Sequence, residues 1–492
     1  MRSNRGNHFM NRQYLIAIII IGWFCIFTIT GCIGNIGELS GLLSGQGGST
    51  YYVAPDGDNQ NPGTKDKPWA TPGYGSRQLG PGDTLIVLGG RYLIGKQEGD
   101  QIKPPSGNPS SWITIKGESE NRPILAGGEN CPAIIDLSGK SNIQIDNLEM
   151  TNQDGSTVQS AIRVVGGVVQ NLAFKNLFIH QIDGMGIIMA DVYGVEIAQC
   201  TIQYCGKGAL VSEIFKGEGW SRITIRDCHF DYSGYRPSGK KNQTDEYPDG
   251  IRIGPSVGPI DITNTGFEHN QGSALQSQAK INRIKQCLFA NNTGNGISIG
   301  GEEGIIENTL IYGMGDGETT ASDGAGIVID GVTKENAIFK LINVTIHDNP
   351  ERKGYPLIVE RSANDKTVEL IIKNSIVTGG YRPVSTGKNV HLQTDHSLIF
   401  SPNGIALRIG EKDYSAEQFE NGDLGQGLIS KDPLFVAPAW GKTGDYHLQK
   451  ESPARDTGAS TEVPPTDLDG KKRPQGEGFD LGAYEYGQDV KN

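Results

Sequence analysis

From residue 141 onward one short pattern keeps returning: alternating apolar residues, a polar pivot, a small residue, an exposed residue and a large apolar one. It reads IQIDNLEM, LAFKNLFI, VEIAQCTI, ITIRDCHF, IDITNTGF, NRIKQCLF, GIIENTLI, KLINVTI and LIIKNSIV. The pivots are Asn147, Asn176, Gln199, Asp227, Asn264, Gln286, Asn308, Asn343 and Asn374, separated by 29, 23, 28, 37, 22, 22, 35 and 31 residues. A floor of 22 with variable excess is what stacked coils with loops of unequal length produce. A second strand signal follows each pivot region: GMGIIM, KGALVS, DGIRIG, SALQS, NGISIG, AGIVID and PLIVE. Two or three short strands per 22 residues leave no room for helices, and the Leu-rich consensus of the other solenoid with this period is missing. The pattern therefore predicts an all-β chain, a single-stranded right-handed parallel β-helix of about nine or more coils with N- and C-terminal caps. The 69 glycines among 492 residues show no Gly-X-Y period and suit many tight turns.

Strict alternation along strands fixes a register. Ile179, Ile202, Phe230, Phe267, Phe289, Ile311, Ile346 and Val377 should form one inward stack, with Cys200, Cys228, Cys287 and Thr309 in another. Buried cysteines at such positions act as small core residues, and a Cys200–Cys228 bond is allowed but not required. The Asn pivots are expected to build an internal hydrogen-bonded ladder. Aligned Gly-Ile strands place Arg163, Ile188, Val211, Arg252, Gln276, Ser298, Val328 and Ile358 outward in one row.

The N-terminal residues Arg2, Arg5 and Arg12 precede an apolar run from Tyr14 to Ile29 that ends Ile29-Thr30-Gly31-Cys32. This reads as a secretory signal over residues 1–31. Gly31 before Cys32 resembles the lipobox of bacterial lipoproteins, which implies lipidation at Cys32, a flexible tether over residues 32–49, and an extracytoplasmic protein anchored to the cell envelope. An uncleaved membrane anchor is the alternative, although the run is short for a span of about 20 residues. Residues 50–140 are expected to hold the N-terminal cap and first coils, residues 141–400 the core solenoid, and residues 401–492 the C-terminal cap region.

The segments YYVAPDGDNQNPGTKDKPWAT and LGPGDTLIVLGGRY resemble the opening of secreted β-helix proteins of the polysaccharide lyase type. SPARDTGASTEVPPTDLDGKKRPQGEGFDLGAYEY resembles the closing segment of bacterial surface β-helix proteins. The resemblance implies a pectate-lyase-like architecture and a polysaccharide partner, while the fold itself hosts lyases, hydrolases, epimerases and adhesins. In such lyases a Lys or Arg abstracts the C5 proton of a uronate and acidic groups hold Ca²⁺. Carried onto this chain, DGIRIG supplies Arg252 as base with Asp249 and Asp245 beside it, and Asp183, Glu213 and Asp249 as ligands of Ca²⁺. Arg236, Lys207, Gln276 and Ser298 would bind substrate. NGISIGG resembles the segment that carries the catalytic lysine of family 9 pectate lyases, but Ser298 stands at that lysine's place and cannot act as the amine.

Insertions at Asp231 to Pro248 and Tyr312 to Gly324 should wall a groove over the Gly-Ile strands. Within the first, the run of Lys, Asp and Glu is equally what a solvated loop carries, and Arg252 could simply pair with Asp249 or Glu246. A hydrolase or epimerase using two carboxylates would draw on Asp245, Glu246, Asp249, Asp183, Glu213 or Glu268. His180, His229 and His269 read as lone exposed histidines. A non-catalytic glycan-binding rod explains the anchor and tether equally well. With 44 basic against 56 acidic side chains and no basic run longer than Lys471-Lys472-Arg473, a nucleic-acid partner is not expected, and a monomer is.

Overall fold

The computed structural model describes residues 48–95, 99–153, 156–213, 217–235, 248–315, 324–349, 354–359, 366–422 and 424–487. Residues 1–47, where a signal segment, a lipidated Cys32 and a tether are expected, and Arg236, Asp245 and Glu246 lie outside the described residues. The unit from Gly48 onward is compact, and the chain is a right-handed parallel β-helix, 47% strand and 3% helix.

Each full coil contributes one strand to each of three sheets, of 14, 12 and 12 strands, parallel except for the antiparallel end strand Lys412–Ser415 of the third. The first sheet takes the strand before each pivot, such as Trp220–Arg226 and Ile260–Thr263, and the second takes the strand after it, such as His229–Asp231 and Gly266–Glu268. The third takes the Gly-Ile strands, such as Leu210–Ser212, Ile251–Ser256 and Leu275–Ala279. Alternation puts one apolar row per sheet inside, because a parallel sheet can hide its face only against other strands of the same solenoid. In the first sheet Phe174, Ile197, Ile225, Ile262, Ile284, Ile306, Leu341 and Ile372 pair in register, each at most 1% exposed.

The second-sheet stack follows the expected register residue by residue, from Ile179↔Ile202 to Ile346↔Val377. Within it the ring of Phe267 stacks on Phe230 at 5.3 Å and on Phe289 at 4.6 Å. Cys200, Cys228, Cys287 and Thr309 are buried behind the pivots, and the cysteines are free thiols. Cys200 and Cys228 are in contact without a bond between the sulfurs, and the Cys200 amide donates to the Cys228 sulfur at 3.4 Å.

The pivots depart from expectation. All nine have φ between 48° and 56°, so each is a left-handed corner between the first and second sheets. Asn176 donates to Asn147 at 2.9 Å and Asn264 to Asp227 at 2.7 Å, so the expected pivot-to-pivot bonds form in part, at the corners. Asn and Asp adopt that conformation at lower cost than other non-glycine residues, which is why they recur there. Asn147, Asn176, Gln199, Asp227, Asn264 and Gln286 reach solvent. The genuine internal ladder lies one corner later: Asn270 and Asn292 are fully buried and bond to each other at 2.8 Å and to the Phe230 and Phe267 carbonyls. The exclusion of helices also needs amending. Pro72–Arg77, capped by Thr71, and Ala416–Glu420, with a Ser415/Gln418 capping box, are short helices near the two ends of the solenoid.

The C-terminal region extends the solenoid through Ile405–Ile409 and then returns along it. Asn308, Asn343 and Asn374 donate to the carbonyls of Thr466, Gly482 and Ala459. Arg473 and Glu485, both fully buried, pair at 2.6 Å, and Arg473 also bonds to Asn308 and the Gly482 carbonyl.

Candidate functional site

The outward row of the third sheet is in the expected register: Arg163↔Ile188↔Val211↔Arg252↔Gln276↔Ser298↔Val328↔Ile358. Arg252 lines an open groove of about 900 Å³ with Val211, Glu213, Glu218, Gln276 and Lys280 among its walls. The groove runs over the downstream end of the third sheet, walled by residues 217–218, the strand end Pro255–Ser256 with Val257, and Thr333. None of the described residues of the Asp231 to Pro248 or Tyr312 to Gly324 insertions lines it; residues 236–247 and 316–323 of those insertions lie outside the described residues.

Asp249, 5% exposed, sits at the corner where DGIRIG enters the sheet. Its Oδ2 accepts from Arg252 Nε at 2.7 Å and its Oδ1 accepts from the Ser273 amide at 2.8 Å. Burial pushes the Asp249 carboxyl above the ordinary aspartate value, with Arg252 and the Ser273 amide pulling the other way. The pair leaves the terminal guanidinium nitrogens of Arg252 without a protein partner among the described residues, and the side chain is 48% exposed. The pair is half-open, with Arg252 reaching solvent and Asp249 buried. Its effect is on orientation, presenting a two-pronged donor of fixed charge to the groove.

Other features of the groove are also polar and anchored. Ser212 accepts from the Gly254 amide at 2.7 Å, and Lys280 pairs with Glu302 at 3.2 Å. Glu213 and Glu218 are exposed on the rim. Lys207 and Ser298 are not groove residues: Lys207 is exposed ahead of the strand, and Ser298 lies one coil beyond Gln276.

The three carboxylates expected to hold Ca²⁺ do not meet. Asp183 is level with Gly206, since Ile188 pairs with Val211, so Glu213 lies seven positions further along the strand direction. At about 3.3 Å per residue these two are roughly 20 Å apart. Asp183 accepts from the Val158 amide at 3.1 Å, and both Asp249 oxygens are used as described. Among the described residues no group of three or more His, Cys, Asp or Glu could hold a metal ion. Asp183, Glu213 and Asp249 therefore do not form one calcium site.

A second polar cluster, which the sequence reading touched only through Glu268 and His269, lies on the second sheet. Asp231 and Glu268 are level on adjacent coils, with Asp231 Oδ1 accepting from the Glu268 amide at 3.0 Å. Burial, with the Glu268 charge adding to it, pushes Asp231 up to about 7 against the pull of that amide. Tyr204, Tyr232 and His269 stack beside them at 4.7 and 5.1 Å. His180 likewise is not a lone surface group: it stacks on Phe178 at 4.3 Å and bonds to Glu149 at 3.1 Å.

No family model matches the chain. The Bacillus subtilis (strain 168) uncharacterized protein YwoF is 30% identical over 136 residues, 26% of this chain and 28% of that one. The chain thus matches little more than a quarter of that relative's length. Among solved structures, the complex of XylC with xylose superposes with a TM-score of 0.51 at 11% identity, covering 89% of this chain and 99% of the other. Pectate lyase Pel9A gives 0.40 at 16% identity, covering 89% and 96%. These likenesses are ones of fold.

Proposed function

We propose that the protein acts on an acidic, uronate-containing polysaccharide laid in the third-sheet groove, and that it cleaves the chain by β-elimination. The observation that carries this reading is Arg252, whose Nε is held by buried Asp249 and whose terminal nitrogens open to the groove. A guanidinium stays charged in proteins and matches a carboxylate with two parallel donors. Neutralising the uronate carboxylate acidifies the C5 proton. Loss of that proton to a base turns the C5–H electron pair into the C4–C5 double bond and expels the C4 oxygen, which takes up a proton from solvent. The pairing with Asp249 supports charge neutralisation rather than proton abstraction as the part of Arg252. It supplies the positive charge otherwise asked of calcium, and no step needs the metal. Gln276 on the next coil supplies an amide to the same groove. Secretion and lipidation at Cys32 complete the reading and place it at the cell envelope.

The test incubates residues 33–492 with pectate and alginate, following the ultraviolet absorbance of unsaturated uronates. A rise that falls at least 100-fold in Arg252→Ala supports it. Binding of either polymer without a rise points instead to a non-catalytic glycan-binding rod.

Glycoside hydrolysis by paired carboxylates is a second reading, favoured by Asp231 and Glu268. Adjacent parallel strands are about 4.8 Å apart, close to the roughly 5–5.5 Å between carboxyls in retaining enzymes. An aspartic acid that keeps its proton near neutral pH suits a general acid. A raised value also means that Asp231 favours folding below its unfolded value near 4 and opposes it as pH rises through about 7. Asp231→Asn is therefore expected to stabilise the protein by roughly 1–3 kcal/mol at pH 8 and leave it unchanged at pH 3.5, measured by urea unfolding. The same variant should release no new reducing ends from any glycan the native protein hydrolyses.

A further inference from the structure

Where the returning C-terminal segment crosses the second sheet it leaves a groove of about 480 Å³, within the usual range for small-ligand sites. His347, Thr378 and Phe400 line it from the solenoid, and Asp432, Phe435 and Trp440 from the segment. It lies on a different sheet from Arg252 and shares no residue with that groove.

We propose that this groove is a separate carbohydrate subsite, which takes a neutral sugar ring against Trp440 and Phe400 and hydrogen-bonds its hydroxyls through His347 and Asp432.

Three observations carry it. The indole is half-exposed and held, its Nε1 donating to the Met314 carbonyl at 3.4 Å, so it presents a rigid flat surface at small entropic cost. His347 is wedged edge-on to Phe435 at 5.8 Å and against Tyr446 at 5.3 Å, and its Nδ1 is sealed from solvent with no partner. The ring's remaining hydrogen bonding falls to Nε2, which has no protein partner among the described residues. The third observation is charge. Among the described residues no Lys or Arg lines the groove, and Asp432 is the one charged side chain there. Burial lowers His347 to about 4, with Asp432 opposing, so the imidazole is neutral near pH 7 and adds no positive charge. Of the described lining a uronate would meet a carboxylate and no cation, whereas a hydroxyl-rich neutral ring finds an aromatic face, a neutral imidazole and a carboxylate acceptor.

The test is calorimetric titration of residues 33–492 at pH 7 with xylohexaose, cellohexaose, mannohexaose and galactohexaose, and with oligogalacturonate as the acidic control. At least one neutral hexasaccharide is expected to bind, with affinity reduced tenfold or more in Trp440→Ala and in His347→Ala and unchanged in Arg252→Ala. Asp432→Asn, an exposed change that cannot upset the core, should weaken the same ligand severalfold. Oligogalacturonate should respond to Arg252→Ala and not to Trp440→Ala, so failure of this site is separable from failure of the lyase reading. No binding of any neutral probe at millimolar concentration, or binding indifferent to Trp440→Ala and Asp432→Asn, overturns the proposal.

Discussion

A corner residue in each coil must take a left-handed backbone, and Asn264 shows what that demands of a side chain. Its φ is 48° and its amide donates to Asp227 of the preceding coil at 2.7 Å on the open surface. Alanine pays the steric cost of that conformation, on the order of 1 kcal/mol, and glycine does not. Asn264→Ala is therefore expected to lower stability by about 1 kcal/mol and Asn264→Gly by less than half of that, read from urea midpoints. Equal losses in the two variants would show that the side-chain bond, not the backbone, matters. The recurrence of these pivots was plain in the sequence, but their role was not. A small polar residue at a fixed place suits an internal ladder and a left-handed turn alike, and only the dihedral separates them. Alternation, by contrast, carries its own geometry: the rows through Phe267 and through Arg252 could be written down from period two alone.

The element that the sequence least revealed is the returning C-terminal segment. Its resemblance to a closing segment led to a cap, yet Asn308, Asn343 and Asn374 bind it along the flank of the solenoid. Those pairings span 85 to 158 residues, and no local pattern encodes which corner a distant carbonyl will meet. The Trp440 groove was illegible for the same reason. The Arg252 groove was half legible, since its floor follows the strand register while the described part of its rim, at 217–218, Val257 and Thr333, follows no repeat. What fastens the segment is Arg473, buried with Glu485 and bonded to Asn308. Removing one member of a buried pair leaves the other charge uncompensated, at about 3–5 kcal/mol. Arg473→Ala is expected to cost that much in denaturant unfolding, with Arg473→Met less damaging because it refills the volume. A loss below 1 kcal/mol for Arg473→Ala would mean that Glu485 escapes to solvent on substitution.

A solenoid of parallel coils is held together mainly by neighbours, each strand pairing only with the coil before and the coil after. Stability in such a chain is close to a sum of coil and interface contributions, so a local defect should loosen its surroundings and leave distant coils alone. The returning segment changes that rule for one stretch. By bonding to the corners at Asn308, Asn343 and Asn374 it ties three successive coils to one strap, and those coils should open together. Native-state hydrogen exchange distinguishes the two regimes. In Arg473→Ala, amides in Glu303–Glu307, Ala337–Ile342 and Val368–Lys373 are expected to lose protection jointly, while Ile113–Gly117 and Val169–Lys175 keep theirs. The Phe267→Ala substitution should behave differently. It removes the middle ring of a three-ring stack, costs about 3–5 kcal/mol, and should speed exchange in the coils that carry Phe230 and Phe289 without spreading to the strapped coils. Loss of protection over the whole solenoid in both variants would show a single cooperative unit, in which the strap adds stability but sets no boundary.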